Sequence, residues 1–164
     1  MLIPLLIGCE SYSFSSNKSV SVDCPDILFA SEHKIYFDSY ESDINLENIA
    51  YKAMINNAEF LKGCSKLGDN FSTNLSILFI VSPIENNQVE ISLPFYLAFL
   101  DKKNNLYEMN YYSLSDYFTQ DTQTKKLNER VINHTFNINI NNLRENSTII
   151  IGFMLDKKRL ELID

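Results

Sequence analysis

The chain has 164 residues, of which 45% are hydrophobic, and a formal net charge of −7. This length suits one domain with a short tail, and the apolar fraction supports an ordinary core, which excludes a disordered chain. The acidic balance, with no extended basic run, makes nucleic acid an unexpected partner. No apolar stretch reaches the roughly 20 residues that span a bilayer, so we expect any membrane attachment to use an anchor.

The chain begins MLIPLLIGCES, and residues 6–9 have the pattern of a bacterial lipobox: two aliphatic residues, a small residue and a cysteine. We predict lipidation at Cys9, because acyl chains contribute about 0.8 kcal/mol of membrane anchoring for each buried methylene. Residues 1–8 are then the end of a signal peptide whose start lies upstream, and residues 9–22 the lipidated cysteine with a serine-rich flexible tether. Glu10 after the cysteine favours the outer membrane, facing the periplasm or the cell surface.

An accidental lipobox in a cytosolic β-protein remains the alternative, because the apolar segment is short, contains Pro4 and lacks a basic residue before it. The cysteine count bears on this choice. Once Cys9 is lipidated, Cys24 and Cys64 form an even pair that an oxidising compartment allows to bridge. Such a loop of about 41 residues stabilises a fold by about 4 kcal/mol in the chain-entropy estimate.

The predicted domain spans residues 23–164 and opens with short apolar strands at residues 26–30 and 34–37. The acidic residues 39–47 predict a loop. Residues 49–61 favour two strand segments separated by a break at the Asn-Asn pair, with a helix as the alternative.

The clearest strand pattern lies at residues 75–82 and 89–101, where apolar residues alternate with polar ones. Pro94 cannot donate to a ladder, so we expect an edge or a bulge at that point. Turns follow both strands. Residues 106–113 predict a tyrosine-rich strand, and residues 114–130 a polar loop with room for a short helix.

Residues 132–140 alternate again, whereas residues 148–155 are apolar on both faces and predict a central strand. Asp156 is a good N-cap for a short terminal helix. About seven short strands with hairpin turns and one short helix predict an all-β, immunoglobulin-like β-sandwich, with a strand-rich α+β fold as the alternative.

Four segments resemble a family of short alphaproteobacterial lipoproteins of unknown function. They are CPDILFA at 24–30, KGC at 62–64, FYLAFLDKKNNLYEMNYYSL at 95–114 and IIIGFMLDKKRLEL at 149–162. Members of that family have a lipobox, a Cys-Pro at the start of the domain, a second cysteine and a final Gly-Phe-x-Leu strand. The resemblance implies a Cys24–Cys64 pair and an envelope location, and it implies no activity.

Motifs that carry catalysis or metal binding are missing from the sequence. No zinc-type spacing of His and Cys, nucleophile elbow or phosphate-binding glycine loop occurs, so we predict no enzyme activity, no metal and no cofactor. His134 lies on the apolar side of its predicted strand and suits a packed histidine. His33 suits a surface turn.

Aromatic residues concentrate around the 107–118 strand and loop, and side chains of this kind are frequent anchors in interfaces. We predict a non-catalytic binding or assembly module that contacts another envelope protein. The alternative is a module that binds a small ligand or glycan, or a weak hydrolase, in the periplasm. The predicted contact residues are Tyr107, Tyr111, Tyr112, Tyr117 and Phe118.

Overall fold

The computed structural model describes residues 18–84, 90–141 and 147–163. Cys9, the predicted signal remnant and most of the predicted tether lie outside these residues. The described residues form two packed sheets of ten strands in all, with one short helix. The prediction of an all-β sandwich is confirmed. The number of strands exceeds the predicted seven, and the immunoglobulin-like topology stays a prediction.

The first sheet has six strands, in the order β1-β5-β6-β4-β3, with β9 along the other side of β6. All its pairings are antiparallel. The strands are β1 (Val20–Val22), β3 (Ile35–Ser39), β4 (Ile49–Phe60), β5 (Cys64–Leu67), β6 (Asn70–Pro83) and β9 (Arg130–Asn141).

The second sheet has four strands in the order β2-β10-β7-β8, and β2 runs parallel to β10. Its strands are β2 (Asp26–Phe29), β7 (Glu90–Leu100), β8 (Leu106–Tyr117) and β10 (Thr148–Phe153). A 3₁₀ turn, Ser31–His33, follows β2, and the helix α1, Lys157–Glu161, follows β10. As predicted, β10 is central, because both its neighbours are strands and its inward side chains are fully buried.

The core lies between the sheets and follows directly from the alternation of β6 and β7. Odd-numbered side chains of both strands point inward and are buried, whereas even-numbered ones point outward. Phe79 of the first sheet meets Phe95 and Phe153 of the second, with ring centroids 5.3 and 5.9 Å apart. Tilted aromatic pairs of this kind add to the free energy gained by area burial.

Residues 49–60 form one strand, so the alternative helix is wrong and the predicted break is a β-bulge. The register against β6 shifts between Ile55 and Asn57, which leaves Asn56 as the extra residue. The bulge moves the inward row from odd to even positions, from Ile55 to Ala58 and Phe60. A single strand therefore shows two patterns of alternation, which explains the ambiguity of its sequence.

Pro94 lies inside β7, a strand with neighbours on both sides. The ladder with β10 ends at the pair Phe153–Phe95, and the next residue, Met154, donates its N–H to the carbonyl of Pro94 over 2.9 Å. The missing N–H of Pro94 thus faces the end of β10 and costs the sheet one terminal hydrogen bond. The expectation of a local edge is met in this limited sense.

The start of the domain is covalently fixed by a disulfide between Cys24 and Cys64, whose Cα atoms are 5.2 Å apart. This pairing matches the expectation from the cysteine count. Cys24 lies where the chain passes from β1 in the first sheet to β2 in the second, so the bridge fixes that crossing. β1 pairs with β5, which extends the folded region to Val20, inside the segment predicted as tether.

The terminal helix forms as predicted, because Asp156 caps it by accepting a hydrogen bond from the backbone N–H of Arg159 at 2.8 Å. This bond is the main reason that the pKa of Asp156 lies below its ordinary value. Residues 118–129 contain no helix. They form a closed loop with a bridge between Gln120 and Leu127.

Candidate functional site

The five aromatic residues predicted as contacts divide between the two faces of the second sheet. Tyr111 and Tyr117 point outward and are 63% and 60% exposed. Tyr112 stacks on Phe95, with ring centroids 5.3 Å apart, and packs against the core. Burial is the main reason that the pKa of Tyr112 is raised.

Phe118 and Tyr107 also belong to the interior. Phe118 is only 4% exposed and lies edge-on to Tyr51, with ring centroids 5.9 Å apart. Tyr107 packs near Phe99 and donates a hydrogen bond to the hydroxyl of Ser147 over 3.2 Å. Three of the five predicted contact residues therefore serve the core, and Tyr111 and Tyr117 are the two whose side chains are exposed.

Tyr111 belongs to a larger apolar surface that crosses all four strands of the second sheet. The register places Leu28, Ile150, Ala98 and Met109 side by side in one outward row. The next row places Gly152, Tyr96 and Tyr111 side by side. We call this surface the tyrosine face and define it by its outward side chains, which are Leu28, Tyr96, Met109, Tyr111, Ile150 and Met154.

Tyr96 lies flat on the sheet because Gly152 leaves room for it. A Cβ atom at Gly152 would come within 2.7 Å of the Tyr96 hydroxyl and 2.8 Å of the Cβ of His33. His33 stands edge-on to the Tyr96 ring, with centroids 5.7 Å apart, and its Nδ1 lies 2.9 Å from the carbonyl oxygen of Phe153. The glycine thus allows a close approach that flattens the aromatic surface.

The tyrosine face carries no charged side chain in its two central rows, although the chain as a whole has a net charge of −7. Leu28 is 55% exposed at one end of the first row, and Met154 continues the apolar character beyond β10. Apolar, aromatic and methionine-rich patches depleted of charge are typical of the centres of protein interfaces.

The loop of residues 118–129 joins β8 of the second sheet to β9 of the first. Asp121 holds it, because its carboxylate accepts hydrogen bonds from the hydroxyl of Thr124 at 2.6 Å and the N–H of Gln123 at 2.9 Å. These bonds, led by that of Thr124, hold the pKa of Asp121 below its ordinary value. Phe118 anchors the start of the loop. The loop is thus a defined surface beside Tyr117.

A seam where β8 faces β9 closes this side of the sandwich. Tyr112 of β8 and Phe136 of β9 have ring centroids 4.8 Å apart, and His134 lies stacked beside Phe136 at 5.4 Å. Arg130 donates two hydrogen bonds to Asp116, at 2.9 and 3.2 Å. As predicted, His134 points inward and packs among aromatic rings.

A polar cluster at the other side of the core holds the terminal helix. Arg159 pairs with Asp38 at 2.8 Å, and the hydroxyl of Tyr51 lies 2.8 Å from both Asp38 and the carbonyl of Ser92. Burial raises the pKa of Tyr51 and, more than any other cause, raises the pKa of Tyr36 to about 12. Both phenols are neutral at neutral pH, and their hydroxyls help to hold the terminal helix and β4 in place.

No group of three or more His, Cys, Asp or Glu side chains within the described ranges is arranged to hold a metal ion. Among the same residues, no helix is long and apolar enough to cross a membrane. The described residues thus form a two-sheet fold in which the second sheet carries an apolar outward face. Comparisons with protein-family models, with curated proteins and with solved structures find no match for the chain.

Sequence reasoning missed five members of the tyrosine face: Leu28, Tyr96, Met109, Ile150 and Met154. Each is an ordinary strand residue in sequence, and they meet only through the order β2-β10-β7-β8 and its register. The one signal of this surface in the sequence was Tyr96. It is an aromatic residue at an even-numbered, outward position of a strand whose odd-numbered residues form the core.

Proposed function

We propose that this protein is a lipid-anchored module of the bacterial envelope that binds another envelope protein through its tyrosine face and has no catalytic role. The observation that carries the proposal is the uncharged apolar surface formed by two rows of outward side chains across four strands. Burying apolar area is worth about 25 cal/mol for each Å², so an exposed surface of this kind favours association.

The anchor in this proposal is a lipid on Cys9, followed by a serine-rich tether. Two or three acyl chains hold a protein stably on a membrane. The disulfide supports an oxidising compartment, since such bonds persist mainly outside the cytosol. We therefore propose an outer-membrane location that faces the periplasm or the cell surface, and an immunoglobulin-like topology for the sandwich.

The anchor is tested by the mass of the protein isolated from its own membranes. We expect a chain that begins at acylated Cys9, and we expect Cys9→Ser to move the protein to the soluble fraction. An unacylated chain that retains Met1 would contradict the anchor.

The binding surface is tested by photo-cross-linking in intact cells. A benzophenone side chain replaces Tyr111 in one variant and Lys52 in a matched control, which is exposed on the outward side of the first sheet. We expect a discrete adduct with another envelope protein from position 111 and none from position 52. Equal adducts from both positions, or none from position 111, would contradict the proposed surface.

A further inference from the structure

The strand β9 forms one edge of the first sheet. In the part of the chain that the structure describes, β6 is the only strand that pairs with it. The side of β9 away from β6 therefore presents main-chain N–H and C=O groups in a row. Such an edge is a template for another strand unless charge, proline, a bulge or shortness protects it.

The other edges of the two sheets show these protections. Among the edges, β1 has three residues and β2 has four. β3 has five residues, with Asp38 beside a register shift. β8 is long, but it carries Glu108 and Asp116 and has a register shift near its start.

β9 lacks these protections except for the charged Arg130 at its first residue. It runs for twelve residues and forms twelve residue pairs with β6, all in one unbroken register. From Val131 to Asn141 it contains no charged residue, proline or glycine. Its inward side is already complete, because Ile138 and Ile140 are buried and Phe136 packs on Tyr112. The groups that remain to be paired are those of the main chain.

We propose that β9 pairs with β9 of a second copy of this chain, antiparallel, so that two first sheets join into one continuous sheet. Main-chain hydrogen bonds between edges require an extended strand as the partner. Beyond the exposed Val131, the outward row of β9 favours a copy of itself, because Asn133, Thr135, Asn137 and Asn139 are neutral side chains that both donate and accept hydrogen bonds.

Pairing of odd-numbered residues with odd-numbered residues keeps this amide row on one face. The same pairing sets Ile, Phe and His residues of the two copies together on the inward face. A two-fold arrangement meets this condition by construction, since the same surface serves both partners. A strand of unrelated sequence would not in general place similar side chains on the same face of the joined sheet.

The net charge of −7 makes two copies repel each other over most of their surfaces. The neutral edge of β9 is a place where that repulsion is low. This inference concerns a different sheet from the tyrosine face and is independent of the proposed function.

The experiment measures the mass of the purified full chain by light scattering over a range of concentrations. We expect a dimer. Asn137→Lys should raise the dissociation constant about tenfold, because a two-fold interface takes the added charge twice. The matched control is Ser115→Lys, which adds the same charge to an exposed outward position on β8. We expect the control to dimerise like the unchanged chain.

A second measurement identifies the partner. Thr135 lies near the middle of β9, so Thr135→Cys should give a self-dimer with a short bis-maleimide cross-linker, above the background of the unchanged chain. A monomer at every concentration, an Asn137→Lys variant that dimerises normally, or cross-links from position 135 to a different protein would each overturn the proposal. Near-UV circular dichroism confirms that each variant is folded.

Discussion

The two long edge strands β8 and β9 are equal in length and consecutive in the chain, yet their outward rows differ completely. Both have twelve residues, and they face each other across the seam. The outward row of β8 contains Met109, Tyr111 and Tyr117 with two serines between the tyrosines, whereas that of β9 is built from Asn and Thr after the exposed Val131. Their inward rows share the same task, because Tyr112 and Phe136 pack on each other.

This difference shows how the fold divides its residues between stability and recognition. Inward positions are constrained by packing, since cores are dense and each lost group is costly. Outward positions on an edge strand are free to vary in chemistry. An aromatic row then suits an apolar partner surface, and an amide row suits a partner strand. Substitutions on the two sides of these strands should therefore affect different measurements.

The largest expected effect is the loss of an inward ring at the seam. Phe95 is fully buried and touches both Tyr112 of β8 and Phe136 of β9. Phe95→Ala should lower the free energy of unfolding by about 3–5 kcal/mol, because it removes apolar contacts and leaves a cavity. Denaturant unfolding, monitored by circular dichroism, measures this change.

The matched substitution on the outward side is Tyr111→Ala, one strand away from Phe95. Exposed side chains contribute little to stability, so we expect a change within about 0.5 kcal/mol. Co-purification of the partner protein from membranes should nevertheless be lost. A destabilisation by Tyr111→Ala equal to that of Phe95→Ala would contradict the division between inward and outward rows.

The next effect concerns inward tyrosines with polar partners. The hydroxyl of Tyr51 accepts a hydrogen bond from the N–H of Ser92 over 2.9 Å, so Tyr51→Phe should cost about 1 kcal/mol by removing the partner of this part-buried donor. Exposed Tyr117→Phe is the matched control and should cost little. A Tyr51→Phe variant as stable as the unchanged protein would contradict this role of the hydroxyl.

The same cluster predicts the response to alkaline pH. The pKa of Tyr36 is raised from 10.0 to about 12 in the folded protein, mainly by burial. The folded state therefore binds its phenol proton more tightly than the unfolded state. The resulting stability is complete below pH 10 and is lost as the pH rises through about 12. Tyr36→Phe should make stability fall less steeply in this window, as measured by denaturant unfolding at each pH. An unchanged slope would contradict this assignment.

The sequence predicted the strands whose alternation is unbroken. β7 and β9 alternate cleanly, and β10 is apolar on both faces because its inward side chains fill the core and its outward ones belong to the tyrosine face. The ambiguity of β4 had a physical cause, since its bulge at Asn56 changes which side chains point inward. Periodicity counts residues along one chain and does not detect an extra residue that is defined only against a partner strand.

The same limit explains the partial prediction of the site. Tyr107 is odd-numbered and Tyr112 is even-numbered, so an unbroken strand would point their side chains to opposite faces. Both side chains turn inward because the register of β8 shifts opposite Phe99 and Leu100. The tyrosine face depends on strand order as well, which places Leu28 of the first third of the chain in one row with Ile150. Local patterns identify which residues share a strand, whereas neighbours across strands are set by tertiary pairing.

The smallest expected effect of a contact between strands is at the polar end of the seam. Hydrogen bonds from Arg130 are the main reason that the pKa of Asp116 lies below its ordinary value of 3.8. The stability from this pair is therefore present above that ordinary value and is lost as the pH falls through the lower folded pKa. The side chains of Arg130 and Asp116 are 41% and 23% exposed, so solvent screens the pair.

Asp116→Asn should therefore cost less than about 1 kcal/mol at neutral pH, and the cost should shrink in high salt. A double-mutant cycle with Arg130→Gln isolates the coupling of the pair from the separate effects of each substitution. Because the rings of Tyr112 and Phe136 already hold β8 against β9, the ion pair adds only a small contribution to stability at the end of the seam. A coupling as large as the effect of Phe95→Ala would mean that charge, rather than aromatic packing, joins the two edge strands.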